Sequence, residues 1–202
     1  GLPGDLPADV SRGQKAEYQV IRGRRSTTVI ARVAMPPELT QNAGCPERFE
    51  INYEFADDAP TLAVSVRWFG KPANRMPEAI FADFHTCFGS GDDWKINKMG
   101  TWIDPLTVIN GGNNSMHAVS DRNSLVIGKR DTLLAVDSPD APLLFPGARR
   151  LWRFDRCRPN LNQGFHFCLY NNQWGTNFPM WYGEDGLARF VLRFHFDQTT
   201  VK

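Results

Sequence analysis

Apolar residues along this chain recur at every second position. In RFEINYEF, Phe49, Ile51, Tyr53 and Phe55 fall on one side of an extended backbone. The turn signal Asp57-Asp58-Ala59-Pro60 follows, and Leu62, Val64, Val66 and Trp68 resume the alternation, which predicts a hairpin. Thr27 to Ala34 reads as an earlier strand. Ala79 to Thr86 reads as another, after the Pro-punctuated loop KPANRMPE. Ser124 to Ile127 and Thr132 to Val136 predict a second hairpin across Gly128-Lys129-Arg130-Asp131. Gly164 to Tyr170 is a strand with Phe165, Phe167 and Leu169 inward. Arg189 to Phe196 is the last, with Phe190, Leu192, Phe194 and Phe196 on one face.

No segment sustains a 3.6-residue apolar period with caps. Between the strands, residues 89–114 form a polar, Gly-rich stretch with Trp94 and Trp102. The expected class is therefore all-β, an antiparallel β-sandwich or barrel. Residues 1–15 are Pro/Gly-rich and acidic and read as a linker or the remnant of a preceding domain; 16–202 read as a single β-sandwich domain. Gly1 in place of Met suggests a piece of a longer chain, which leaves localisation open.

Composition supports a packed core, with 42% hydrophobic and 12% aromatic residues in a chain of 202. A net charge of +1 argues against a protein that neutralises nucleic-acid phosphates or an anionic membrane. Arg22, Arg24 and Arg25 are too short a run for a binding patch and fit a solvated lead-in to a strand. No apolar run approaches the ~20 residues of a membrane helix. Cys45, Cys87, Cys157 and Cys168 lack CxxC spacing, so zinc-ribbon and thioredoxin arrangements are excluded. Buried free thiols are expected, and a disulfide stays open.

Beyond the strand GFHFCLY lies NNQWGTNFPMWY, dense in amides and aromatics. Amides pair donors with acceptors, which suits sugar hydroxyls, and Trp and Tyr offer flat apolar faces for a pyranose ring. Asn171, Asn172, Trp174, Thr176, Asn177, Trp181 and Tyr182 are thus candidate sugar contacts. The same amides also rigidify loops by bonding nearby backbone, and composition leaves both readings open. His166 shares its strand face with Cys168 and Tyr170, opposite the phenylalanines, and points toward this loop. It is a candidate ligand contact or general acid/base. His85 shares a face with Asp83 and Cys87, yet no second close pair completes a metal set, and a structural role is the simpler reading. His117 and His195 are weaker candidates. Asp83, Asp92, Asp93, Asp104, Asp137, Asp140, Glu78, Glu184 and Asp185 supply carboxylates, but no spacing singles out a catalytic pair. There is no P-loop, dinucleotide fingerprint or GxSxG.

Four segments in order form a signature: WFGKPANRMPEA; Asp104-Pro105 with Gly111-Gly112 and His117-Ala118-Val119; LLAVDSPDAPLLFPG; and GFHFCLYNNQWGTNFPMWY. It resembles the C-terminal β-domain of proteins related to glycoside hydrolase family 38, the α-mannosidases, and a subfamily with an NNxWGTNFP block. The similarity spans about Trp68 to Phe194. The resemblance implies a galactose-mutarotase-like supersandwich. In that family the zinc ion and nucleophilic Asp belong to an N-terminal barrel domain, so the resemblance implies that they lie outside these residues, in which no HxDxxW-like zinc segment occurs. No cofactor is then expected in this chain, and the expected partners are carbohydrate and that barrel. A domain that docks on a barrel should expose an apolar patch, through which a homodimer could also form. If the chain is instead a mutarotase-like epimerase or lyase, His85, His166 and Glu184 are the residues for proton transfer. A free-standing carbohydrate-binding module is the remaining alternative.

Overall fold

A computed structural model of the chain describes residues 15–75, 77–109, 112–129, 132–151, 157–173 and 182–196. Two antiparallel sheets pack face to face. The predicted first hairpin is present as β3 (Arg48–Ala56) and β4 (Thr61–Phe69), with Phe49 opposite Trp68, Ile51 opposite Val66 and Tyr53 opposite Val64. The predicted second hairpin is β9 (Leu125–Lys129) and β10 (Thr132–Asp137). The long C-terminal strand β13 (Gly186–Phe196) lies between them and bonds to β4 on one side and to β10 on the other. Two hairpins distant in sequence thereby become one sheet.

That sheet has nine strands. It is extended on one side by β2 (Ser26–Ala34) and β1 (Ala16–Arg22), and on the other by β6 (Asp93–Lys98) and β7 (Thr101–Ile103). The strands β6 and β7 correct the expectation of an irregular Gly-rich stretch. Trp94 and Ile96 bury their side chains against Ile127 and Leu125, and the Trp94 indole N–H donates to the Gly89 carbonyl at 2.9 Å. A single short helix, α1 (Pro37–Ala43), also escaped the periodicity. It starts on Pro37 and stops at Gly44, whose φ of 72° suits glycine and lets the Gly44 and Cys45 amides close on the last turn.

The second sheet has four strands in the order β5 (Ala79–Phe84), β12 (Phe165–Asn171), β11 (Leu143–Pro146) and β8 (His117–Ala118). Phe165 and Phe167 face the core as the alternation predicts, and both are fully buried. Phe84 stacks on Phe165 at 5.0 Å and meets Phe190 edge-on at 5.2 Å; Phe167 lies 5.1 Å from Phe190. Each such pair adds about 0.5–1.5 kcal/mol beyond area burial. Cys45, Cys87 and Cys168 are free thiols. Cys168 is buried, whereas Cys87 and Cys157 are exposed, which corrects the expectation of buried thiols for those two.

The four-stranded sheet does not reach across the whole of its partner. On the inward side of β1, β2 and β3 the ladder aligns Tyr18, Ala31 and Ile51 in one row and Val20, Val29 and Tyr53 in the next. Val64 and Val66 on β4 are at least 92% buried, but Tyr18 is 71% and Val20 59% exposed. An exposed apolar strip therefore lies at the β1 end of the large sheet.

Candidate functional site

The outward face of the four-stranded sheet carries a histidine–carboxylate pair. Register sets His166 of β12 opposite Asp83 of β5 and Phe145 of β11. His166 Nδ1 lies 2.7 Å from Asp83 Oδ1. An ionised carboxylate only accepts, so the proton on this bond belongs to Nδ1, and in the neutral imidazole Nε2 is the acceptor. Nε2 is buried and has no hydrogen-bond partner among the described residues. The Arg149 guanidinium stands 3.6 Å from the other Asp83 oxygen. Burial pushes the Asp83 carboxyl up, but the bond from His166 and the charges of His166, Arg149 and His85 outweigh it, and the net effect is a lowered pKa. His85 follows the end of β5, exposed, with its ring edge-on to His166 at 6.0 Å. The sequence thus placed Asp83 and His85 together correctly and missed that Asp83 is the partner of His166. No group of three His, Cys, Asp or Glu side chains among the described residues is arranged to hold a metal.

Of the Asn/Trp loop, residues 171–173 and 182 are described. Strict alternation puts Tyr170 on the face of His166, but the ladder has a bulge between Cys168 and Tyr170. After it, Tyr170 pairs with Ile80, the neighbour of outward Phe81, and the in–out phase of β12 shifts by one. Tyr170 therefore does not share the face of His166 that strict alternation assigns to it.

Beyond the bulge a polar frame holds both described ends of the loop. The Asn171 side chain accepts from the Gln173 amide at 2.8 Å and closes the strand. Asn172 is buried; its backbone N–H donates to the Glu78 carbonyl at 2.8 Å, and its side-chain N–H₂ donates to the Asn74 carbonyl at 3.4 Å. Tyr182 forms a β-bridge with Asn74, and the Tyr170 hydroxyl donates to the Tyr182 carbonyl at 3.5 Å. Beneath lies Lys71, with its side chain fully buried. Its Nζ is 2.6 Å from Glu78 Oε1, 3.0 Å from the Pro72 carbonyl and 5.1 Å from the centre of the Tyr170 ring. Asn74 also donates to Glu78 Oε1 at 3.0 Å. Burial, followed by the charges of Glu78 and Tyr182, pushes the Tyr170 phenol up to about 12.

Asn171 and Asn172 are thus part of the frame, and Tyr182 stands exposed above it. Trp174, Thr176, Asn177 and Trp181 lie outside the described residues. Glu184 meets Trp68 and neither histidine: its backbone carbonyl accepts from the Trp68 indole at 3.0 Å. Lys71 and Glu78 stand seven positions apart in an aperiodic loop, so no local signal marked them as a pair.

The remaining histidines lie elsewhere. His195 is exposed on β13. His117 is buried, and neither ring nitrogen has a hydrogen-bond partner among the described residues. Burial pushes its pKa down to about 4, the Lys98 charge adds to this, and the nearby Asn114 backbone only tempers it. Two surface depressions, of about 410 and 250 Å³, are lined by residues such as Lys15, Glu17 and Ala34 and contain no candidate residue.

No family model matches the chain, and no curated protein matches it. Solved structures do. The galactose 1-epimerase of Lactobacillus acidophilus NCFM superposes with a TM-score of 0.60 at 10% identity, over 91% of this chain and 67% of that one. A galactose mutarotase-like protein from Clostridium acetobutylicum gives 0.54 at 10% identity, with the same coverages. At such identity the likeness concerns the fold, which is that of the galactose-mutarotase-like supersandwich.

Proposed function

We propose that the chain is a β-domain of a carbohydrate-active protein related to glycoside hydrolase family 38. In this reading it supports a catalytic barrel, contributes sugar contacts through the loop from Asn171 to Tyr182, and is not catalytic alone. The observation that supports it is the frame of Lys71, Asn74, Glu78 and Tyr170, which ties Asn172 and Tyr182, the described residues on either side of 174–181, to the supersandwich. A loop fixed at both ends presents its aromatic faces with less ordering cost on binding. Two measurements test it: the coding sequence upstream of Gly1, and titration calorimetry of the chain with a panel of manno- and gluco-oligosaccharides. An upstream barrel, with an affinity that Trp174→Ala lowers about tenfold or more, is the expected result. A parent without a barrel sinks the support role and leaves a free-standing binding module. An affinity indifferent to Trp174→Ala sinks the loop assignment.

A second reading is favoured by the Asp83–His166 pair alone. A carboxylate that orients an imidazole and leaves Nε2 as an acceptor is the arrangement of a general base. The reading is a mutarotase-like epimerase or lyase, with His85 as the neighbouring group. Polarimetry of freshly dissolved anomerically pure sugars decides: interconversion no faster with the chain than without it ends this reading for mutarotation.

A further inference from the structure

Among the described residues, no second layer lies over the apolar end of the large sheet. A sheet buries one side against another element, and here burial falls from β4 to β1 as the four-stranded sheet runs out. We propose that this face, centred on Tyr18, Val20, Tyr53 and Phe55, docks one amphipathic α-helix of a partner protein that carries a carboxylate over Arg22. The proposal is independent of the sugar-binding reading.

Three observations select that occupant. The first is size. The face is three strands wide and four inward residues long, roughly 10–15 Å by 20 Å. One helix is about 10–12 Å across and covers 20 Å in about 13 residues. The second is polarity. Tyr18, Tyr53 and Thr27 bring the only hydroxyls to these rows, too few hydrogen-bonding groups for a sugar, whereas the aliphatic and aromatic surface suits a helix stripe. Burial, and then the neighbouring Tyr18, push the Tyr53 phenol up, so the two rings stand close on this face.

The third is charge. Arg22 is the charged residue on the inward rows of β1, β2 and β3, and it stands at the end of the face. Arg24 is beside it, and Arg25 is already matched by Asp58 at 2.6 Å. A second copy packed face to face would set Arg22 either against its own equivalent or over the far row of Ala16, Val33 and Phe49. The first is repulsive, and the second buries an uncompensated charge. A helix with an acidic flank avoids both.

Two fluorescein-labelled peptides of about 14 residues serve as probes. Both carry a leucine stripe at helical spacing; one is flanked by glutamates and the other by lysines. Anisotropy at low salt should show the glutamate peptide binding this chain about tenfold tighter than the lysine peptide. Arg22→Glu should reverse the preference. Val20→Asp and Tyr18→Asp should each abolish binding of both peptides, and Ile21→Asp, on the other side of β1, should leave it unchanged. These positions are all exposed, so the variants should melt within a few degrees of the parent by circular dichroism. Equal affinity for the two peptides, no binding at all, or binding that survives Val20→Asp overturns the proposal. So does a dimer in sedimentation equilibrium that Val20→Asp dissociates, which would give the face to a second copy.

Discussion

His166 and Asp83 are 83 positions apart in sequence, yet they face one another across the β5–β12 ladder with 2.7 Å between Nδ1 and Oδ1. Backbone register brings them together, and the bond then lowers the Asp83 pKa against the opposing effect of burial. The bond is charge-assisted, so Asp83→Ala should cost about 1–3 kcal/mol at neutral pH. The sign with pH follows from the lowered folded value. The contribution is complete above the unfolded carboxyl pKa and is lost as pH falls through the lower folded one. Urea titrations of parent and Asp83→Asn at pH 7 and pH 2.5 should show a difference that shrinks in acid. A difference that persists unchanged at pH 2.5 would assign it to shape rather than charge.

His117 gives a different pH window. Its folded pKa of about 4 lies below the ordinary 6.5, so the folded protein holds it neutral while the unfolded chain takes up a proton. Its full stability is present above 6.5 and falls as pH drops from 6.5 toward 4. The loss is at most roughly 3–4 kcal/mol, from about 1.4 kcal/mol per unit. His117→Leu removes a buried imidazole without hydrogen-bond partners, and it should flatten stability across this window at little cost at pH 7. Chemical denaturation at pH 7 and pH 4.5 reads the slope directly.

The Lys71–Glu78 pair should behave as a buried ion pair. Removing one member, as in Lys71→Met or Glu78→Gln, leaves the other charge in a dry frame, and each should cost about 3–5 kcal/mol. The double variant Lys71→Met, Glu78→Met should be no worse than either single one. A double-mutant cycle measured by urea unfolding provides the coupling, and strictly additive costs would show that the two charges do not support each other.

Gly164 tests a backbone requirement. Its φ of 84° and ψ of −148° belong to a region that only glycine enters readily, and a Cβ there would lie 2.1 Å from the Phe84 carbonyl oxygen. Gly164→Ala should lose about 2–4 kcal/mol and lower the melting midpoint by roughly 5–15 °C. A midpoint within 2 °C of the parent would mean that the turn before β12 relaxes freely.

Much of the fold was legible because alternation is a local property. Phe165, Phe167, Phe190 and Leu192 had to face inward whatever their neighbours were, since an extended chain turns alternate side chains the same way. The hairpins β3–β4 and β9–β10 followed from turn residues between alternating runs. The sequence also carried the all-β class and, through an ordered signature, the supersandwich. It could not say that β13 bonds between β4 and β10, or that Asp83 meets His166, because nothing local encodes which distant strand lies opposite which. A bulge between Cys168 and Tyr170, invisible in the pattern of residue types, shifts the phase of β12 between His166 and Tyr170. Lys71 and Glu78 became a pair only when packing removed both from water. Side-chain alternation is set residue by residue, whereas register, bulges and buried charge pairs are settled by the free energy of the assembled core.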